Sequence, residues 1–274
     1  MPRVSSRGSY PSKAIGRLAS REGRWSRAAL FAVPIVGVLL GESLLYLGSA
    51  WYALWAHVGA LGACVAASVY RREAAGTYRA LSLLPVFRLV NLGMPVFTGR
   101  TLAWLSLIYA VLLPAIHFAW CDNEAVGLPV GGWIGVAVLP GAIVFGAFVG
   151  EVGRGIVALP TLIAGNPPVC IAYLNFATLA FVGCVEELVF RGVLQDALVN
   201  AIGRWRSILL TSVLFGAMYS VYATPAAVGF GITFGLLLAI AYHWTRSLLV
   251  TMALHATANL LLFAGPTYPS FFSV

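Results

Sequence analysis

Long apolar runs are the feature that most constrains what this chain can fold into. They recur from Ala29 to Phe263, and several approach the roughly 20 residues that an α-helix needs to cross the hydrocarbon core of a bilayer. Only 9% of the residues are charged, against about 25% in typical soluble domains, so the chain lacks the charges to cover a water-facing surface. The sequence therefore predicts an all-α, polytopic integral membrane helix bundle.

Gly, Pro and Arg residues divide the apolar sequence into about eight predicted transmembrane helices. They are expected near 29–48, 51–70, 101–120, 131–150, 169–190, 207–221, 226–243 and 247–263. The stretch 80–97 is ambiguous because it carries Arg88 and Asn91, and a charge within a span is costly in lipid. We interpret this stretch as an amphipathic helix at the interface, with a ninth span as the alternative. This choice decides on which side of the membrane the later segments end, and the sequence does not settle the choice.

The N-terminus is strongly basic, in a chain of net charge +8. Its cations are Arg3, Arg7, Lys13, Arg17, Arg21, Arg24 and Arg27. Ahead of a membrane span such residues mark the cytoplasmic side, and we favour this interpretation over nucleic-acid binding. We predict a disordered cytoplasmic arm over 1–27, because Ser and Gly are frequent there. After this arm we predict N-terminal transmembrane helices over 28–168, a C-terminal core over 169–264 and a short tail over 265–274.

The first cluster of ionisable residues lies at the end of the apolar run 169–190. Glu187 and Arg191 are four residues apart on a helix and can form an ion pair. Glu186 points about 100° away from Glu187 around the helix, which leaves it free to face a cavity. A carboxylate in a medium of low dielectric constant is a better base than one in water, as a general base requires. An interfacial salt bridge at the end of a membrane helix is the structural alternative.

Two further motifs follow in separate apolar runs. His255 and Asn259 are four residues apart, so they share a helical face. An imidazole can accept a proton, orient a water molecule or bind a metal, and an amide can donate a hydrogen bond to an oxyanion. Hydrogen bonding between membrane helices would explain the same pair. Phe215 and Tyr219 form the third motif, which alone indicates only an aromatic helix face.

The order and spacing of these motifs resemble those of the CAAX-protease and bacteriocin-processing (CPBP, or Abi-type) intramembrane peptidases. The sequence has EExxxR at Glu186–Arg191, then F and a polar aromatic four residues later, then HxxxN at His255–Asn259. The resemblance covers about 170–263. It implies that Glu186 activates a water molecule, that Glu187 and Arg191 shape the same face, that His255 is a second catalytic group and that Asn259 stabilises the oxyanion.

The chain departs from the family pattern at Tyr219, where the family has the histidine of FxxxH. A tyrosine can donate a hydrogen bond, but it is a poor base and a poor zinc ligand. A divalent metal such as Zn²⁺ remains an open cofactor, because the resemblance does not decide between a metal and a glutamate-activated water. The departure also keeps open an inactive relative that acts in immunity, scaffolding or chaperoning.

The resemblance implies an endopeptidase that acts on membrane-associated or lipid-anchored proteins or peptides. Prenylated C-terminal tails, bacteriocin leaders and sorting-signal tails are the substrate classes it suggests, and nothing in the sequence chooses among them. The expected partners are therefore a protein or peptide substrate and the lipid bilayer, without nucleic acid. A transporter is disfavoured because the polar residues are concentrated towards one end of the chain, without two related halves.

Overall fold

The chain is helical in nearly every part that the computed structural model describes, which is residues 21–93, 101–121, 132–157 and 169–263. The α-helices are α1 (Arg21–Tyr46), α2 (Ala50–Tyr70), α3 (Ala75–Gly93), α4 (Thr101–Cys121), α5 (Gly132–Ile156), α6 (Val169–Glu187), α7 (Asp196–Ile202), α8 (Arg204–Ala217), α9 (Pro225–Thr245) and α10 (Leu248–Leu262). Two 3₁₀ segments, Arg72–Ala74 and Met218–Tyr222, and a π-helical segment, Leu188–Gln195, lie between some of them. No β-strand occurs in these ranges, so the predicted all-α class is confirmed.

The outer surface of the bundle is apolar, as a membrane protein requires. Large side chains such as Trp51, Phe118 and Trp133 face outward, where a soluble monomer rarely exposes extensive apolar surface. By length and composition, three helices of the described part can cross a membrane, namely α2, α5 and α9, and shorter apolar helices cover 31–46, 105–119 and 248–262. The predicted membrane helix bundle is thus confirmed. The number of spans and the cytoplasmic position of the N-terminus stay predictions.

The predicted spans all coincide with helices, and one helix also includes the last residues of the predicted arm 1–27. Helix α1 begins at Arg21, so the last residues of the arm are helical. Residues 1–20 and the tail 265–274 lie outside the described part of the chain. The division of the remainder into 28–168 and 169–264 stays a prediction.

Helix α3 does not lie on the outside of the bundle as the interfacial interpretation of 80–97 predicted. Other helices enclose it, and Arg88 is only 2% exposed. Arg88 forms a two-point ion pair with Glu42 of α1, with 2.8 Å from Nε to Oε1 and from Nη2 to Oε2. The interpretation treated the Arg88 charge as unpaired, which the ion pair contradicts, and whether this stretch spans the membrane stays a prediction. Removing a charge from water is far less costly when a carboxylate accepts both of its hydrogen bonds.

Small residues bring α5 against α10, the helix that carries the HxxxN motif. Gly146 and Gly150 form a GxxxG motif of the kind that lets membrane helices approach closely. A Cβ at Gly146 would lie 2.3 Å from the Leu254 carbonyl oxygen, and one at Gly150 would lie 2.3 Å from that of Ala258. Helix α6 packs on α10 as well. Backbone contact with α5 therefore fixes the position of α10 beside α6.

Candidate active site

The six predicted site residues lie on segments that meet inside the bundle. Glu186 and Glu187 end α6, and Arg191 lies in the π-helical segment that continues it. Tyr219 lies in the 3₁₀ segment after α8, and α10 supplies the two residues of the HxxxN motif. A π-helical turn is rare in proteins and is frequent at functional sites. Here it continues α6 directly after the glutamate pair.

Glu187 is fully buried and engaged by two partners. Its Oε1 accepts a hydrogen bond from Arg191 Nη1 at 3.2 Å and lies 2.7 Å from His255 Nδ1. Arg191 is fully buried too, and its Nη2 donates to the Gly235 carbonyl oxygen at 2.8 Å. The predicted Glu187–Arg191 pair is thus present. The Glu187 carboxylate holds the His255 imidazole in place and does not line the cavity described below.

Glu186 points to a cavity and keeps 21% of its side chain exposed. Its Oε1 accepts a hydrogen bond from the hydroxyl of Tyr109 on α4. Its Oε2 lies 3.4 Å from His255 Nε2. The two adjacent glutamates therefore differ in environment, as their angular separation on the helix predicted.

His255 lies between the two glutamates and is fully buried. Because the Glu187 carboxylate only accepts hydrogen bonds, His255 Nδ1 must carry a proton. His255 Nε2 and Glu186 Oε2 attract each other only when a proton lies between them.

The cavity beside Glu186 has a volume of about 230 Å³ and a mostly apolar lining. Its polar lining comes from Arg88, Asn91, Tyr109, Glu186, Tyr219, Tyr222 and Asn259. Glu186 is the one carboxylate among the described residues that line it. The predicted residues Glu186, Tyr219 and Asn259 thus face a common space, whereas Glu187, Arg191 and His255 lie behind it.

The aromatic motif forms a wall of this site. The Phe215 ring packs on the His255 imidazole, with 5.6 Å between ring centroids, and the Arg191 guanidinium lies 4.9 Å from the Phe215 ring centre. Tyr219 packs on Phe215 and lines the cavity. Its hydroxyl has no hydrogen-bond partner among the described residues. The hydroxyl is therefore available to a ligand.

Asn259 lines the cavity from α10. Its Nδ2 lies 3.5 Å from the Leu179 carbonyl oxygen, at the long limit of a hydrogen bond. This weak contact leaves the amide able to donate to a stronger acceptor in the cavity.

Sequence reasoning missed Tyr109, whose hydroxyl contacts Glu186. Tyr109 stands alone in an apolar run, and no motif marks it. Composition alone would assign Tyr222 and Tyr242 to the aromatic residues that membrane proteins place at the membrane interface. Tyr222 instead lines the cavity, and Tyr242 is buried and donates to Asp196 at 2.8 Å. Composition predicts an aromatic belt, but only packing shows which aromatic residues turn inward.

The donor set does not fit a catalytic zinc site. Glu186 Oε2 and His255 Nε2 face each other at 3.4 Å, whereas Glu187 does not line the cavity: its Oε1 is taken by Arg191 and His255, and its Oε2 is buried without a partner. Catalytic zinc usually has three protein ligands. In the described part of the chain, no group of three or more His, Cys, Asp or Glu residues could hold a metal ion. The pair is therefore one ligand short.

Comparison with known proteins bears on this same region. No curated protein and no solved structure matches the chain. Residues 168–261 match the family model described as Type II CAAX prenyl endopeptidase Rce1-like. These residues include all three motifs. Their resemblance to the CAAX proteases is thereby confirmed, and this part of the chain is similar to the Rce1-like CAAX prenyl endopeptidases.

Proposed function

We propose that this protein hydrolyses a peptide bond in a membrane-associated protein or peptide, with Glu186 activating the attacking water. The observation that carries the proposal is the different environment of two adjacent glutamates. Glu187 is occupied by Arg191 and His255, whereas Glu186 faces the cavity. A base must reach the proton that it removes. Glu186 meets this condition and Glu187 does not.

In the proposed reaction a water molecule in the cavity donates a hydrogen bond to Glu186. Glu186 takes a proton as the water oxygen bonds to the carbonyl carbon of the substrate. The oxyanion that forms accepts hydrogen bonds from the Tyr219 hydroxyl and the Asn259 amide. The proton then passes to the amide nitrogen and the carbon–nitrogen bond breaks. The products are a carboxylic acid and an amine.

The buried residues support this chemistry without contacting the substrate. Tyr109 orients the Glu186 carboxylate through Oε1, and His255 Nε2 lies beside Oε2. Glu187 and Arg191 fix the orientation of the imidazole. His255 can therefore hold the proton that Glu186 shares as the carboxylate changes its charge.

The family description suggests prenylated proteins with a C-terminal CAAX sequence as the substrate class. The largely apolar cavity suits the apolar side chains of such a tail. The outward-facing apolar surface supports a bilayer location, from which a lipid-anchored substrate would diffuse laterally. Bacteriocin leaders and sorting-signal tails are membrane-associated alternatives of the same chemical class.

A second candidate is an inactive relative that retains the fold. Tyr219 favours it, because this residue replaces the histidine of the family motif. A tyrosine can still donate to an oxyanion but cannot act as a base near neutral pH. The two candidates differ in what Glu186 does, since a scaffold does not need a basic carboxylate in a cavity.

The test is a cleavage assay on purified protein in lipid nanodiscs, with wild type, Glu186→Gln and Glu73→Gln. Glu73 is an exposed acid between α2 and α3 and serves as the matched control. Prenylated and unprenylated single-span peptides are incubated with and without a chelator. We expect wild type and Glu73→Gln to cut, Glu186→Gln to be inactive, and the chelator to have no effect. Cleavage by Glu186→Gln at the wild-type rate would refute the proposal, and chelator-sensitive cleavage would refute the metal-free mechanism.

A further inference from the structure

Arg88 is a second charged side chain in the cavity, and the proposed hydrolysis does not use it. It lies on α3, outside the residues that match the family model. It lines the cavity together with Asn91, which lies almost one helical turn further along α3. Arg88 is the one cation among the described residues that line this space. The catalytic cavity thus contains both a carboxylate and a guanidinium.

The Arg88 guanidinium is held in place from two sides. Glu42 accepts from Nε and Nη2, and the Met218 carbonyl oxygen accepts from Nη2 at 2.9 Å. The Ser220 hydroxyl donates to the same Glu42 carboxylate at 2.5 Å. These contacts connect α1 and α3 to the segment that carries Tyr219. The guanidinium is therefore ordered before any ligand binds, which lowers the entropic cost of binding.

This arrangement leaves Arg88 Nη1 without an acceptor. No described residue accepts a hydrogen bond from Nη1, and the Asn91 amide has no hydrogen bond within the described part either. Neither group belongs to the fully buried unpaired atoms of the described residues, so water in the cavity can bind both until a ligand replaces it. Both groups line the same cavity, so an acceptor on a bound ligand can satisfy them together.

We propose that Arg88 and Asn91 form a subsite for the C-terminal carboxylate of the peptide being cleaved. The inference rests on the proposed hydrolysis and specifies its substrate. Because Glu42 and Met218 already engage Nε and Nη2, Arg88 offers Nη1 to one oxygen of a carboxylate, and the Asn91 amide N–H offers a second donor. A cavity of about 230 Å³ is smaller than the sites that enclose drug-sized ligands. It holds a short tail, so the cleaved bond lies only a few residues from the chain end.

Glu42 already balances the Arg88 charge, which affects the strength of this selection. The subsite selects through hydrogen-bond geometry more than through net charge. A C-terminal carboxamide replaces one acceptor with a donor that faces the donors of Arg88 and Asn91. We therefore expect the free acid to bind about tenfold more tightly than the amide.

The experiment measures binding separately from cleavage. A fluorescent peptide with a farnesylated cysteine fourth from its end is prepared as the free acid and as the amide. Its affinity for Glu186→Gln in nanodiscs is measured by fluorescence anisotropy, and cleavage by wild type is followed in parallel. Arg88→Gln alone would leave Glu42 buried and unpaired. The variant added to the Glu186→Gln background is therefore Glu42→Gln with Arg88→Gln, and the control there is the exposed Arg206→Gln.

We expect Glu186→Gln to prefer the acid about tenfold, Arg206→Gln to keep the preference, and the double substitution to abolish it. Asn91→Ala, which does not disturb the ion pair, should reduce it. Equal binding of both peptides, or a preference that survives the double substitution, would overturn the inference. If wild type cleaves both equally well, the hydrolase proposal stands and the subsite falls. Acid-selective binding without cleavage would support the subsite and contradict the hydrolase proposal. Absence of both binding and cleavage would contradict both proposals.

Discussion

Glu187 Oε1 lies 2.7 Å from His255 Nδ1, which joins the end of α6 to the middle of α10 inside the bundle. The contact fixes the tautomer of the imidazole, because a carboxylate can only accept. The same contact gives the two adjacent glutamates different roles. Glu187 holds the histidine, and Glu186 remains free to meet a water molecule in the cavity.

This division predicts different consequences for Glu186→Gln and Glu187→Gln. Glu186→Gln should remove activity and leave the thermal unfolding temperature unchanged, because Glu186 is partly exposed. Glu187→Gln leaves the buried Arg191 without its carboxylate, at a cost of about 3–5 kcal/mol. Thermal unfolding in detergent should show a lower midpoint for Glu187→Gln alone. Equal midpoints for the two variants would contradict the proposed division.

Tyr109→Phe should lower kcat about tenfold or more, since the substitution removes a hydrogen bond to a charged acceptor. Tyr109 donates to Glu186, and the phenyl ring keeps the packing on Phe87. KM should stay constant, because the substrate does not need this hydroxyl to bind. Steady-state kinetics test the prediction, and a rise in KM at constant kcat would count against it.

Tyr219→Phe removes the hydroxyl that we assign to the oxyanion. We expect kcat to fall by about a hundredfold, as when one donor of an oxyanion hole is lost. Tyr219→His should retain activity, because an imidazole can also donate there. Kinetics on both variants decide the role. A fully active Tyr219→Phe would exclude the hydroxyl from the reaction, and activity found only in Tyr219→His would favour the inactive-relative reading of the natural chain.

Gly150→Ala should destabilise the bundle and impair catalysis, because the new Cβ would meet the Ala258 carbonyl oxygen at 2.3 Å and push α10 away from α5. Asn259, the neighbour of Ala258, would move with α10. Gly155→Ala is the matched control, since a Cβ there meets open space on the same helix. Unfolding midpoints and kcat for both variants test the effect. Similar values for the two would show that close packing of α5 on α10 is unimportant.

The sequence by itself determined the features that depend on neighbours along the chain. Apolar runs give the helices, because each helix satisfies its own backbone hydrogen bonds in lipid. The Glu187–Arg191 pair follows from a spacing of four residues, and the different direction of the Glu186 side chain follows from its angle on the helix. The family resemblance also rests on such local spacings, and the match over 168–261 confirms it.

Only the tertiary structure decided which distant groups meet. Glu42 and Arg88 lie 46 residues apart in the chain, and Tyr109 and Glu186 lie 77 apart. No periodicity connects such residues, because helix packing sets their distances. For this reason the sequence suggested an interfacial helix for the stretch that carries Arg88, whereas the folded chain buries Arg88 against Glu42. A charge that is too costly for one helix becomes acceptable when a second helix supplies its partner.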